Sequence, residues 1–245
     1  EGVVCERAFL PDTPAARPTE AVVSEESHRP LSDFDLIAFS VAFENDYPNV
    51  LSLIAKAGLP LRASDRGTPF PLVMAGGVTC FLNPEPLAAF IDLFVVGEAE
   101  PVLTALVERL LEGDLKSDSG RQDLLLNIAR EVPGAYVPHF YSAAYQADGT
   151  LAAFHPNADV PPRIRRVFAP DVSRIPTETT ILTEQTTFDA AYLVEVSRGC
   201  PHGCRFCSAG YIYRPPRFRP LELLKTQLER GGAHTDRVGL VGAAV

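Results

Sequence analysis

Short apolar runs alternate with amphipathic stretches through the first half of the chain, and this alternation limits the fold more than any other feature. Runs rich in Val, Ile, Leu and Phe predict strands at 3–9, 36–41, 72–75 and 93–96. Apolar residues at helical spacing predict helices at 49–57, 84–90, 101–111 and 122–130. Because strands that alternate with helices form a parallel sheet covered on both faces, the predicted class is α/β.

The pattern changes after residue 130. Runs at 132–145 and 151–155 flank the pair Asp148-Gly149, which favours a β-hairpin turn. Residues 157–187 are rich in Pro, Thr and charge without a period, which predicts an interdomain linker. The predicted organisation is an α/β domain at 1–130, a hairpin and linker at 131–187, and a new unit at 188–245.

The last unit has the order strand, loop, helix, strand. Strands are predicted at 191–196 and 237–241, and the segment 200–220 is predicted as a loop. Pro220 and Gly231 are start and stop signals for a helix at 221–230, which has leucines on one face. The loop therefore follows the carboxyl end of a strand, which is the catalytic face in a barrel built from such units.

The composition limits the function classes. The 245 residues carry a net charge of −9, which argues against general nucleic-acid binding because phosphate contacts need surplus Lys and Arg. No apolar run approaches the roughly 20 residues of a membrane span, so no membrane partner is expected. The chain lacks an initiator Met and ends within an apolar run, so we expect a piece of a longer protein, with no turnover from these residues alone.

Three of the five cysteines, Cys200, Cys204 and Cys207, have the spacing CxxxCxxC. Thiolates crowded in this way indicate a metal site in a reducing compartment, and we predict a cytoplasmic protein. Three thiolates would leave one iron of a 4Fe-4S cubane open to another ligand. A zinc site with His202 as fourth ligand is an alternative, but zinc ligands usually form two separated pairs. An electron carrier is another, and it would need a fourth ligand.

The stretch from Glu195 to Cys207 resembles the signature of the radical S-adenosylmethionine (radical SAM) superfamily, with an aromatic residue before the last cysteine. The resemblance implies a partial (β/α) barrel whose 4Fe-4S cluster, held by the three cysteines, cleaves S-adenosylmethionine to start radical chemistry on an unidentified substrate. It also implies that Phe206 lies near the adenine, that Gly242 lies near the methionine part, and that a reductant protein such as flavodoxin or ferredoxin supplies the electron. The Tyr-Arg-Pro-Pro-Arg stretch at 213–217 is similar to an iron-sulfur oxidoreductase group.

The first domain is similar to the flavodoxin-like cobalamin-binding domains that precede many radical SAM barrels. The likeness rests on small residues after successive predicted strands: Ser40, Gly76, Gly77 and Gly97. In that family such residues let the nucleotide tail of cobalamin approach the backbone. The cobalt-binding pattern Asp-x-His-x-x-Gly is absent from the sequence, and we expect the strand and helix that would carry it to lie upstream.

Five arginines and no acidic residue occur between Ser197 and Pro220. Such a surround would favour a cluster with thiolate ligands and a carboxylate-bearing cofactor. Methylthiotransferases share the cluster motif that this sequence resembles, and the same arginines could contact phosphate, so an RNA methylthiotransferase-like enzyme is an alternative function. They could also simply face solvent on a rigid loop.

Overall fold

A computed structural model of the chain describes residues 2–11 and 21–243. Residues 1, 12–20, 244 and 245, which fall inside the predicted domains 1–130 and 188–245, lie outside this description. The chain divides into two compact units, Glu1–Val167 and Phe168–Val245, and the division falls inside the predicted hairpin and linker segment. In the described part of the chain, no helix is both long enough and apolar enough to cross a membrane.

The first unit is built on a four-stranded sheet with the order β1-β2-β3-β4. Its strands are β1 Leu36–Ser40, β2 Leu72–Gly76, β3 Leu93–Val95 and β4 Ala135–Tyr136. The first three strands run parallel, and the register pairs Leu36 with Leu72 and Met74 with Leu93. β4 is antiparallel to β3, so the sheet is mixed rather than purely parallel.

The helices of this unit are α1 Tyr47–Lys56, α2 Val78–Leu82, α3 Leu103–Glu112 and α4 Asp118–Glu131. Pro48 suits the first turn of α1, where a missing N–H costs nothing. Ser117 caps α4, because its Oγ accepts a hydrogen bond from the Gly120 amide at 3.1 Å. The α/β class and the predicted helices near 49–57, 101–111 and 122–130 are therefore confirmed, with ends displaced by a few residues.

Two predicted elements of the first unit are wrong. Residues 3–9 form no strand, and Val3, Val4 and Phe9 are exposed, so this run has no buried face to hold it in a sheet. The predicted helix at 84–90 is only a single 3₁₀ turn, Glu85–Leu87, because Pro84 and Pro86 lack the N–H groups that a helix requires. The helix lies just before it, as α2.

The hairpin consists of β5 Tyr141–Tyr145 and β6 Leu151–Pro156, which pair antiparallel around the predicted Asp-Gly turn. Residues 157–187 contain no named helix or strand, as the sequence predicted. The core of the first unit centres on fully buried side chains of the sheet and its helices: Ile54, Leu72, Ile91, Leu93, Phe94, Leu106 and Ile128.

The second unit contains one βαβ arrangement. Its elements are β7 Tyr192–Glu195, β8 Ser197–Arg198, α5 Ala209–Ile212, β9 Arg217–Phe218, α6 Leu221–Gly232 and β10 Val238–Val241. β10 lies parallel to β7, with Val238 paired to Tyr192, and α6 connects the far end of the loop to β10. Gly231 lies against the Tyr192 ring, where a Cβ would approach ring carbon Cδ1 to 2.3 Å, so the helix packs closely on β7.

Candidate functional site

The loop that carries the three cysteines begins at the carboxyl end of β7. Strand β10 ends at the same edge, because the Val196 amide donates a hydrogen bond to the Val241 carbonyl at 2.8 Å. Gly242 follows β10 directly, so the structure brings Gly242 to the edge from which the cysteine loop departs. In parallel α/β sheets this edge is where ligands bind.

The cysteine loop, residues 199–216, folds tightly back on itself. A Cβ at Gly199, whose φ is +87°, would lie 2.0 Å from the Tyr213 carbonyl oxygen. A Cβ at Gly210 would lie 2.1 Å from the His202 carbonyl oxygen. Only glycine allows these approaches, so both positions fix the path of the loop.

The three thiols differ in exposure. Cys200 is 8% exposed, Cys207 is half-buried, and Cys204 is exposed. The Cys207 amide donates to the Cys204 carbonyl at 3.2 Å, which forms a turn between these two residues. Phe206 lies inside this turn and is 94% exposed, so its ring is open to contact with a bound molecule.

The donor set of the loop suits iron, because thiolates are the usual ligands of iron-sulfur clusters. Within residues 2–11 and 21–243, however, no three side chains of His, Cys, Asp or Glu gather closely enough to hold a metal ion. His202, the alternative zinc ligand, is exposed on the loop. Cluster ligation by Cys200, Cys204 and Cys207 therefore stays a prediction.

Glu195, the last residue of β7, accepts hydrogen bonds from two arginines that flank the cysteine loop. Arg198 donates to its carboxylate through Nε at 3.0 Å and through Nη2 at 2.9 Å, and Arg219 donates to the same carboxylate through Nη2. Burial raises the pKa of the Glu195 carboxyl, but the hydrogen bonds and charges of Arg198 and Arg219 outweigh burial and hold that pKa below its usual value. The carboxylate is therefore charged at neutral pH.

Contacts of two arginines, Arg217 and Arg219, tie the residues after the loop to the segment that precedes β7. Arg217 Nη1 donates to the Ala169 carbonyl at 2.5 Å. Arg219 Nη1 donates to the Val172 carbonyl at 2.9 Å and its Nη2 to Thr177 Oγ1 at 2.8 Å. Buried guanidinium groups that donate to carbonyls stabilise structure, so these two arginines cannot form the basic surface that the sequence suggested.

The remaining two arginines of the loop are on its surface. Arg205 is exposed, and Arg214 is exposed with its guanidinium carbon 5.4 Å from the centre of the Tyr211 ring. The predicted arginine-rich surround therefore divides into three buried or half-buried structural residues, Arg198, Arg217 and Arg219, and two surface residues. Sequence spacing alone could not separate these two classes.

The small residues predicted to approach cobalamin lie at the carboxyl edge of the first sheet. A Cβ at Gly77, whose φ is +97°, would lie 2.5 Å from the Val41 carbonyl oxygen. A Cβ at Gly97, whose φ is +132°, would lie 2.2 Å from the Val167 carbonyl oxygen. Both glycines are thus required by contacts within the chain. Gly76 has ordinary clearance, because its Cβ would lie 3.7 Å from the Val95 carbonyl oxygen, and Ser40 is exposed.

Comparison with known proteins gives the family. The family model described as "Radical SAM proteins, N-terminal" matches residues 1–138, more than half of the chain. The chain belongs to this radical SAM family. It is also 29% identical over 230 residues to an uncharacterized protein of Methanocaldococcus jannaschii, an alignment that covers 90% of this chain. The chain spans about 40% of the length of that relative.

This radical SAM protein also has a cavity of about 630 Å³ in its first unit. The cavity lies at the amino ends of β2 and β3, opposite the edge that holds the glycines. Its walls include Asp92, Arg121, Tyr136 and Phe154. No local pattern predicts this cavity, although one signal is present in the sequence: Asp92 is a charged residue directly between Ile91 and Leu93 in an apolar run.

Proposed function

We propose that the full-length protein is a radical SAM enzyme in which Cys200, Cys204 and Cys207 bind three irons of a 4Fe-4S cluster. The observation that carries the proposal is the CxxxCxxC loop at the carboxyl edge of a βαβ unit in a chain of the radical SAM family. Membership of the radical SAM family makes an enzyme the expected class of protein. Ligation of three irons by these cysteines would leave the fourth iron of the cluster open to S-adenosylmethionine.

In this proposal the bound cluster would supply an electron, taken from a reductant protein such as flavodoxin or ferredoxin, to S-adenosylmethionine. The chain's own residues would position the reactants. The exposed Phe206 would lie along the adenine, and Gly242 would leave room for the methionine amino group at the shared edge. The tight packing at Gly199 and Gly210 would keep the loop backbone in one conformation around the ligands.

The structure bears on the two alternative functions. An electron carrier would need a fourth ligand to the cluster. Cys80 is buried in the first unit, where burial raises the pKa of its thiol to about 11. An RNA-modifying enzyme would need arginines that reach phosphate. Arg217 and Arg219 donate instead to carbonyls inside the second unit. Arg205 and Arg214, which lie on the surface, are the arginines of this segment that could contact phosphate.

Anaerobic reconstitution tests the cluster. We expect about four irons per chain in the wild type, because a cubane holds four, and large losses in Cys200→Ala, Cys204→Ala and Cys207→Ala. Cys5→Ala is the matched control, because Cys5 is an exposed free thiol outside the loop. Iron and sulfide analysis measures the content, and electron paramagnetic resonance of the reduced cluster should change when S-adenosylmethionine is added.

Equal iron loss in the control and the loop variants would contradict the ligand assignment. A reduced cluster whose spectrum ignores S-adenosylmethionine would instead favour an electron carrier, because every iron would then be capped by the protein.

Cobalamin binding by the first unit is a separate proposal that rests on the family resemblance and on the free space at Gly76. If a nucleotide tail approaches this edge, Gly76→Ala should weaken cobalamin binding about tenfold or more without loss of stability, because the added methyl group fits the protein. Gly232→Ala is the control, since its Cβ would meet no atom within 4 Å. Absorbance titration with cobalamin measures the affinity. No saturable binding to wild-type protein would reject the proposal.

A further inference from the structure

A very short pair of strands, β8 and β9, flanks the two ends of the cysteine loop. β8 pairs antiparallel with β9, with Ser197 opposite Phe218 and Arg198 opposite Arg217. Two paired residues on each side are too few to hold an 18-residue loop, because even a complete two-stranded hairpin is only marginally stable. Another interaction is needed to keep the two ends of the loop together.

Glu195 supplies that interaction. Its carboxylate accepts two hydrogen bonds from Arg198, just before the loop, and one from Arg219, just after it. The Arg219 side chain is fully buried, and the side chains of Arg198 and Glu195 are 11% and 17% exposed. Charge-assisted hydrogen bonds are about twice as strong as neutral ones, and water competes less with them where the groups are mostly buried.

The same arginine links the loop to the segment before β7. Besides Glu195, Arg219 holds the Val172 carbonyl and Thr177 Oγ1. A change at Glu195 would therefore remove the carboxylate that Arg198 binds at one end of the loop and that Arg219 binds at the other. Cys200 lies two residues beyond Arg198 and is the most buried of the three thiols, so it is the cysteine most sensitive to this change.

We propose that Glu195 is a positioning residue whose carboxylate clamps Arg198 and Arg219, and that this clamp sets the position of Cys200 in the cysteine loop. The role of the clamp in cluster binding rests on the proposed function. The clamp itself does not, because it holds the loop whether or not a cluster is bound.

The first test needs no cluster. In metal-free protein, Glu195→Gln should raise the rate of Cys200 alkylation by iodoacetamide about tenfold, because loss of the charge increases local opening of the loop. Peptide mass spectrometry follows each cysteine separately. Cys204 is exposed and should react at an unchanged rate, and Cys80 reports that the first unit is intact. Far-UV circular dichroism of each variant reports whether the second unit keeps its helix and strands. Glu229→Gln, an exposed position on α6, is the matched control.

Two further variants keep the test decisive. Glu195→Asp retains the charge and should restore part of the protection of Cys200. If Glu195→Gln does not fold, Arg198→Lys replaces it, because lysine keeps the charge but cannot make the two-bond contact with the carboxylate. Wild-type alkylation rates in whichever of Glu195→Gln and Arg198→Lys folds would overturn the clamp.

The second test uses reconstituted protein. The clamp predicts that Glu195→Gln alters the electron paramagnetic resonance signal or the midpoint potential of the reduced cluster, whereas Glu229→Gln does not. If the wild-type chain binds no cluster, the proposed function is rejected. The alkylation rates of Cys200 then test by themselves whether the clamp exists. An unchanged signal and potential, with unchanged alkylation, would reject the clamp while the proposed function stands.

Discussion

Arg66, Asp92 and Arg121 form a buried ion cluster at the amino edge of the first sheet. Arg66 donates to Asp92 Oδ2 through Nε at 3.2 Å and through Nη2 at 3.1 Å, and the Val73 amide donates to the same oxygen at 2.7 Å. Arg121 Nη2 lies 3.8 Å from Asp92 Oδ2. Burial raises the pKa of Asp92 in spite of both arginines. Burying the Asp92 charge therefore costs free energy that its attraction to the two arginines offsets only in part.

Asp92→Ala should lower the free energy of unfolding by about 3–5 kcal/mol, because it leaves the Arg66 guanidinium buried and unpaired. Asp92→Asn should cost less, since its carbonyl oxygen can still accept from the Val73 amide. Urea unfolding followed by circular dichroism measures both, with the exposed Asp65→Ala as control. A loss below about 1 kcal/mol in Asp92→Ala would show that the cluster is not needed for stability.

Individual residues could be predicted where a local sequence motif indicates a specific chemical role. They could not be predicted where the interacting partner is distant in sequence. The position of Cys200, Cys204 and Cys207 on a loop after a strand followed from the order of elements. The pairing of Arg66 with Asp92 joins residues 26 positions apart, which no local pattern encodes. The burial of Arg217 and Arg219 depends on carbonyls of residues 169 and 172, which the sequence presented only as linker.

At the scale of elements, strand β3 is continued by contacts with a segment far along the chain. The Val167 amide donates to the Val96 carbonyl at 3.0 Å, and the Glu98 amide donates to the Val167 carbonyl at 2.9 Å. Gly97 lies between these two bonds and forms a parallel bridge with Val167. This bridge explains the glycine, because a Cβ at residue 97 would lie 2.2 Å from the Val167 carbonyl oxygen.

Gly97→Ala should lower the free energy of unfolding by about 2 kcal/mol or more, because the new Cβ would strike the Val167 carbonyl and break the bridge. Gly149→Ala is the control, since Gly149 also has a positive φ but its Cβ would meet no atom within 4 Å. The control measures the cost of a side chain at a positive φ in open space, and the extra loss at Gly97 combines its less tolerated φ of +132° with the contact to Val167. Equal losses of stability would mean that the contact with Val167 contributes nothing.

Elements were predicted best where the hydrophobic pattern and the end signals agree. Helix α6 begins directly after Pro220, as predicted, and continues two residues beyond the predicted end at 230. Short β4 was predicted as part of the hairpin, because its two residues continue the same apolar run. Its place beside β3 depends on the return of α4 along the sheet, which is a tertiary effect.

At the scale of the whole molecule, the α/β class, the hairpin and the final βαβ arrangement could be predicted from the sequence, since each depends on local period and turn residues. The mixed character of the sheet and the division after Val167 could not, because both arise from contacts between distant segments. Membership of the radical SAM family agrees with the resemblance seen in the cysteine loop.

Because three arginines near the cysteine loop are buried or half-buried, the loop presents less positive charge to solvent than its sequence suggests. The segment 197–220 has five formal positive charges, but Arg198 and Arg219 share the charge of Glu195, and Arg217 is buried among carbonyls. Arg205 and Arg214 are the exposed arginines of this segment. Because fewer positive charges reach solvent than the five formal ones, binding of any charged molecule at this face would vary less with ionic strength than the sequence implies.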